Sequence, residues 1–464
     1  MGLFNRCVYV LLLHMAASQL SYYKLPVLIY DGDNFEETAR TVESTMLDVF
    51  GASQLIVGNH VLEATYVDGN QFQNNYRLEL TSDIVCSRLL NSSLASIIFS
   101  PKSFQTSSYN SLVSSASYAL SFYKLPVVGV MVRDVEFSKK NIYKTFVRPT
   151  ASFIDEAHLF LQLLLKLFYR QVVLVTVKGD SNCEMFVEEF ERRKNEFKII
   201  VQNHLVVDLN TDLDVTLANQ FEEVTSNIIV LCSTSRDAEK IFASSGSPSG
   251  HGKVWMITQS ASDAQNIPKG SLSCKLSQSP YSVLRESFMV LKRTFERVFE
   301  KQTNGLQPPR NCDKSSVTQD WVKREADLVL RTICTTSTSR IQFDADCQRV
   351  GVEYDVLNHA DGIRNVGHLI GSTLELREES IEWGDGAKPL EISLPKHLRV
   401  VAVEDPPFVF TYPVHNKRDC DDLKQLNIKV SAWDTVPVVG QIYGYSGPSD
   451  IPYCGKMYSF LETI

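Results

Sequence analysis

Apolar residues alternate along this chain between two rhythms. KLPVLIY (24–30) is an uninterrupted apolar run of strand length. Residues 34–50 then place Phe35, Ala39, Val42, Met46, Leu47 and Phe50 at helical spacing. The rhythm repeats with strand HVLEATYV (60–67), a mainly helical segment over 71–90, strand LASIIFSP (94–101), helix SLVSSASYALSFY (111–123) and strand KLPVVGVMV (124–132). A second series follows: a long helix over 152–168, strand QVVLVTV (171–177), a helix through FVEEFERRK (186–194) and strand FKIIVQNHLVV (197–207). It continues with helix 211–224, strand SNIIVLC (226–232), helix 236–243 and strand KVWMIT (253–258). Strands separated by helical patterns predict βαβ units and parallel sheets covered on both faces.

The repetition is too long for one small sheet and predicts an α/β clamshell of two doubly wound lobes. Lobe 1 is expected over about 24–149 and 262–349, and lobe 2 over about 150–261 and 350–383. The helices SVLRESFMVLKRTFERVFEKQ (282–302) and SVTQDWVKREADLVLRTI (316–333) are expected to return to lobe 1. The short strands RIQFDA, VEYDVLNHA, RNVGHLIG and STLELR are expected to edge lobe 2. GDGAKPLE opens a Gly/Pro linker over 384–397. From Leu398, LRVVAVEDPPFVF reads as a strand stopped by Pro406 and Pro407. A polar loop bracketed by Cys420 and Cys454 follows, and MYSFLETI opens a helix. One strand, one loop and one helical turn cannot enclose a core, so 398–464 reads as the incomplete start of a second domain.

Composition narrows the function. Hydrophobic residues make up 44% and charged residues 22%, as in ordinary globular proteins. A net charge of -8 gives no basic footprint for nucleic acid. Arg6, an apolar run and small residues near Ala16–Ser18 predict a signal peptide over 1–18. The longest later apolar stretch, 158–168, contains Lys166 and falls well short of the ~20 residues of a membrane span. No membrane span is therefore expected in this chain. The sequence shows no CxxC, HExxH, G-x-S-x-G, P-loop or dinucleotide fingerprint, so no metal, cofactor or enzymatic activity is expected. Asn91, in NSS, is a glycosylation acceptor at a predicted helix end. Charged runs such as EEFERR (188–193) and READLVLR (324–331) read as solvated helix faces.

Of ten cysteines, Cys7 leaves with the signal, and the remaining odd number cannot all pair internally. Cys232 ends an apolar strand and reads as a buried free thiol. Cys334 and Cys347 can pair locally or stay apart. The states of Cys183 and Cys274 are open.

Residues 116–148, ASYALSFYKLPVVGVMVRDVEFSKKNIYKTFVR, resemble the amino-terminal domain of NMDA-type ionotropic glutamate receptors, in particular the obligatory glycine-binding subunit. VCSRLL at Cys86, GHGKVW up to Trp255, PPRNC (308–312), RIQF (340–343), IEWGDG (381–386) and LRVVAVEDPPFVF follow in the same order. The resemblance implies a periplasmic-binding-protein-like clamshell at the extracellular face of a postsynaptic membrane. It also implies heterotetrameric assembly with other NMDA-type subunits. Glycine binds in that family's second domain, largely on segments beyond residue 464, so this chain is expected neither to bind agonist fully nor to conduct ions. Where the family tends to carry a glutamate before the proline of the PFV segment, this chain has Pro406.

The resemblance also implies roles for individual residues. Cys86 and Cys312 match the family's long-range bridge, which here closes a loop of 226 residues. Such a closure is worth at most about 5 kcal/mol on chain-entropy grounds. Cys420 and Cys454 match one of two loop bridges, and both cysteines of the second bridge are missing. Tyr118 and Phe122, four apart and hence on one helix face, match aromatics that line the contact between unlike subunits, where allosteric small molecules lodge. Spacing alone favours two ordinary core aromatics, and the resemblance reverses that. A nearby apolar position of the family is Lys144 here, and a charge costs desolvation in a dry pocket. A rival reading is a secreted soluble binding protein or decoy made from a truncated transcript.

Overall fold

The computed structural model describes residues 20–69, 85–101, 106–222, 224–248, 252–310, 312, 320–384 and 386–389, together with 412–413 and 453–454. The chain divides into two compact units, 1–391 and 392–464. Within the described residues of the first unit, lobe 1 opens with β1 (Ser21–Ile29), α1 (Phe35–Phe50), β2 (Gln54–Val57), β3 (His60–Asp68), β4 (Ser96–Phe99), α2 (Thr106–Phe122), β5 (Val127–Val130) and β6 (Phe146–Val147). Lobe 2 follows with α3 (Ile154–Lys166), β7 (Gln171–Val177), α4 (Ser181–Arg193), β8 (Ile200–Val207), α5 (Leu213–Glu222), β9 (Ile228–Cys232), α6 (Ser235–Ala243), β10 (Val254–Ile257) and β11 (Ser271–Leu276). The chain returns to lobe 1 with α7 (Pro280–Lys301) and α8 (Ala326–Thr335), then forms β12 (Gln342–Phe343) and β13 (Arg349–Val350). It ends in lobe 2 with β14 (Glu353–His359), β15 (Ile363–Ile370) and β16 (Thr373–Leu376). This is the bilobed, periplasmic-binding-protein-like α/β clamshell.

Lobe 1 holds a six-stranded sheet in the order β2-β3-β1-β4-β5-β6, parallel except where β2 meets β3. Leu25, Val27, Leu28 and Ile29 of β1 are fully buried, because helices cover both faces. Lobe 2 holds eight strands, ordered β16-β15-β14-β11-β10-β9-β7-β8. Its apolar runs divide by strand parity. Val173, Val175, Ile229, Leu231, Trp255 and Ile257 pack on one face, and Val172, Leu174, Ile228, Val230, Val254 and Met256 on the other. Local chemistry sets the helix starts. Asp180 accepts the backbone N–H groups of Asn182 and Cys183, Thr234 accepts that of Asp237, and Ser279 precedes Pro280 at the first turn of α7. Helix α1 stops at Gly51, whose φ of 78° is left-handed and whose N–H reaches the Leu47 carbonyl.

Two expectations change. Segment 262–276 does not belong to lobe 1: Ser271–Leu276 forms β11 between β10 and β14, within the lobe 2 sheet. The pattern missed it because SLSCKL carries serine where a buried strand usually carries valine. Ser271 and Ser273 are buried nonetheless, bonded to the Pro268 carbonyl at 2.5 Å and to His359 Nε2 at 2.8 Å. Cys232 is not a free thiol. It is bonded to Cys183 on the first turn of α4, 49 residues away, with Cα atoms 5.5 Å apart. Strands β7 and β9 are neighbours, so the helix that follows β7 starts beside the end of β9. Of the helix expected over 71–90, only 85–90 is described, as a single wide turn. Cys334 and Cys347 are bonded, whereas Cys274 is buried with a free thiol.

The last described stretch of the first unit is bolted to lobe 2. Ile381 and Trp383 are buried, and Asn358 exchanges two bonds with the Glu382 backbone, at 2.9 and 3.2 Å. A Cβ at Gly270 would collide with the Gly384 backbone. Tyr169 Oη donates to the Pro389 carbonyl at 3.1 Å, and Lys388 lies 5.5 Å from the Tyr169 ring while pairing with Glu378. In the second unit, β17 (Tyr412–Pro413) pairs antiparallel with β18 (Tyr453–Cys454). The predicted signal peptide, the strand over 398–410 and Cys420 lie outside the described residues.

Candidate functional site

Three crossovers join the lobes, and arginines tie them together. The first, after β6, runs beside the third, where Arg148 and Gln348 form a parallel bridge. Arg349 donates to the Pro149 carbonyl of the first crossover at 3.2 Å, to Gln278 of the second at 3.0 Å and to the Arg340 carbonyl at 3.1 Å. Arg148 donates to the Asp134 carbonyl at 2.8 Å and to Ser138 at 2.6 Å. Burial pushes the Arg148 pKa down to about 10. The Cys334–Cys347 bond fixes the third crossover to the end of α8.

Arg133 is a buried charge just past β5, reached through Met131 at a left-handed φ of 62°. Its side chain is 0% exposed and pairs with Glu156 at 2.6 Å. Nε donates to the Ala151 carbonyl at 2.9 Å and Nη1 to Gln259 Oε1 at 3.1 Å. Nη2 donates to the Ser152 carbonyl at 3.3 Å and to Tyr354 Oη at 2.7 Å. The guanidinium also lies 4.8 Å from the centre of the Phe153 ring. Glu156 accepts the Gln259 N–H at 3.0 Å and lies 3.5 Å from the Cys274 sulfur. Burial opposes the positive charge, but Tyr354 and Glu156 outweigh it and hold the Arg133 pKa above its ordinary value. Burial, with Glu156 beside it, pushes the Cys274 thiol well up, so it stays protonated.

A second region lies on α2. Val113, Ala116 and Leu120 face the core, while Tyr118 is 58% and Phe122 65% exposed. The two aromatics share an outward face. The end of α2 is firmly held: Tyr123 Oη donates to the Cys312 carbonyl at 3.1 Å, and Trp321 Nε1 donates to the Tyr123 carbonyl at 3.1 Å. Cys312 is bonded to Cys86, with Cα atoms 5.0 Å apart. Ser114 of α2 and Tyr143 converge on Glu136, at 3.1 and 2.5 Å. Lys144 and Ile142 are exposed close to that anchor. Asn91 is half-buried in the turn after 85–90, and the next residue, Ser92, donates its N–H to the Pro309 carbonyl at 2.9 Å.

Sequence reasoning named Cys86, Cys312, Tyr118 and Phe122 but missed Arg133 and Glu156. Each carries a signal: Arg133 directly follows the apolar run KLPVVGVMV, and Glu156 sits on the buried face of an apolar helix. Neither signal says that the two meet.

The profile of the receptor family ligand binding region matches residues 67–320. The NMDA-type glutamate receptor subunit 1 of Drosophila virilis is 27% identical over 348 residues, covering 70% of this chain and 35% of that protein. The corresponding subunits of Drosophila ananassae and Drosophila melanogaster are each 25% identical over 419 residues, covering 86% of this chain and 40% of theirs. The chain thus spans 35–40% of the length of these relatives.

Proposed function

The chain belongs to the receptor family ligand binding region family, and from that premise we propose that it is the extracellular regulatory and assembly region of an NMDA-type glutamate-gated channel subunit. The observation that carries this reading is the outward aromatic pair Tyr118 and Phe122, on a helix end anchored to the Cys86–Cys312 bond. Exposed aromatics on a rigid support are the usual anchors of protein interfaces. The partners are other NMDA-type subunits, and the contact is the α2 face. Regulation is a change in lobe angle, driven by a partner or ligand with unequal affinity for two shapes and carried out through the linker at 384–397. Lys144, exposed near this face, disfavours a dry small-molecule pocket there.

The rest of the assignment follows the same reading. Residues 1–18 direct secretion, Asn91 carries a glycan, and Cys420 pairs with Cys454 in the opening loop of a glycine-binding domain. The working location is the extracellular face of a postsynaptic membrane. The test is co-expression with other NMDA-type subunits and sedimentation of the purified product. A heteromer that dissociates when Tyr118 and Phe122 become alanine supports the reading. A strictly monomeric chain with every candidate partner overturns it in favour of a soluble binding protein.

A further inference from the structure

In open α/β sheets, ligands lodge in the crevice beyond the carboxyl ends of the strands. Arg133 stands there, three residues past β5 of lobe 1, and Gln259 stands past the end of β10 of lobe 2. Every guanidinium nitrogen of Arg133 has an acceptor. The carbonyls of Ala151 and Ser152 belong to the first crossover. The side chains of Glu156 (α3), Gln259 and Tyr354 (β14) all belong to lobe 2. One lobe 1 side chain therefore crosses to a carboxylate, an amide oxygen and a phenol on three separate pieces of lobe 2. That set is complementary to a flat cation and already holds one. Opening the lobes at this point withdraws a buried charge from its partners, which is strongly unfavourable.

We infer that Arg133 is an interlobe latch: its guanidinium occupies a cation-shaped receptor at the hinge and holds the lobe angle without any external ligand. Arg133 is a positioning residue, and Glu156, Gln259 and Tyr354 are its receptor. This goes beyond the assembly reading and needs no partner subunit.

The experiment measures the distance between spin labels attached through p-acetylphenylalanine at exposed Arg40 on α1 and Glu188 on α4, in the full chain. The unlabelled cysteines keep their bridges. Arg133→Ala is expected to give a longer or broader distance distribution than the parent. Adding methylguanidinium is expected to restore the parent distribution by refilling the receptor, whereas methylammonium, of equal charge but the wrong shape, is not. A folded Arg133→Ala protein with the parent distribution overturns the latch, and so does a widened distribution that methylguanidinium leaves unchanged. If Arg133→Ala does not fold, the near-isosteric Glu156→Gln and Tyr354→Phe variants decide. A shift in either supports the latch, and the parent distance in both overturns it. Loss of subunit assembly with an intact distance response would damage only the functional reading of the α2 face.

Discussion

The hinge and the outer face of α2 invert the normal distribution of residues in opposite senses. At the hinge, Arg133 and Glu156 are charged and almost wholly buried; on α2, Tyr118 and Phe122 are aromatic and mostly exposed. Charged groups are rarely buried unless paired. The hinge meets that condition internally, since every guanidinium nitrogen of Arg133 finds an acceptor within the same chain. On the α2 face, by contrast, the described residues leave Tyr118 and Phe122 mostly exposed. The difference separates a region completed by its own sequence from one that we propose a partner completes.

The largest effect is expected at the hinge. Glu156→Ala leaves Arg133 buried beside a missing partner and should destabilise the first unit by about 3–5 kcal/mol in urea unfolding. Replacing both, as Arg133→Met with Glu156→Leu, should cost clearly less than the sum of the single changes, a coupling that a double-mutant cycle reads directly. Equal additive losses would mean that the pair is not an energetic unit. Next in size is the anchor beneath α2. Cys86→Ser with Cys312→Ser should cost about 2–5 kcal/mol, seen as a lower melting temperature.

The aromatic face should respond in the reverse manner. Tyr118→Ala and Phe122→Ala should change monomer stability by no more than about 0.5 kcal/mol. In a subunit complex each should cost more than about 1 kcal/mol of association, measured by sedimentation. A large stability loss with no effect on association would erase the contrast between the two regions. The smallest effect is expected at His359, buried beside Ser273 in lobe 2, where burial holds the imidazole pKa below 6.5. Its folded pKa is depressed, so its contribution is fully present above about pH 6.5 and lost as pH falls through the folded value. His359→Gln should flatten the pH dependence of stability below about 6.5, with a slope change of at most about 1.4 kcal/mol per pH unit. An unchanged slope would show that His359 does not titrate with unfolding.

Much of the fold was legible because apolar runs such as VVLV and IIVL are of strand length and rich in β-branched residues. Buried on both faces, they predicted parallel strands and thus two wound lobes. Strand β11 stayed hidden because Ser271 and Ser273 satisfy their hydroxyls inside the sheet, so burial left no apolar trace. Strand β2 is only four residues long, with Ile56 exposed at the sheet edge. Cys183 and Cys232 meet through neighbouring strands rather than through any local pattern. The aromatic spacing on α2 was visible, but spacing cannot distinguish an inward from an outward face. The hinge receptor was invisible because Arg133, Glu156, Gln259 and Tyr354 come from four separated stretches, and only the topology gathers them.

The bolting of 381–389 onto lobe 2 has a mechanical consequence. With Asn358, Gly270 and Tyr169 all gripping that segment, Pro389 is the tip of a crank whose fulcrum is the knot of crossovers around Arg349. Any rotation of lobe 2 sweeps that tip along an arc instead of being absorbed as slack. In the proposed regulatory reading, the stroke delivered at Pro389 follows the geometry of one rigid arm.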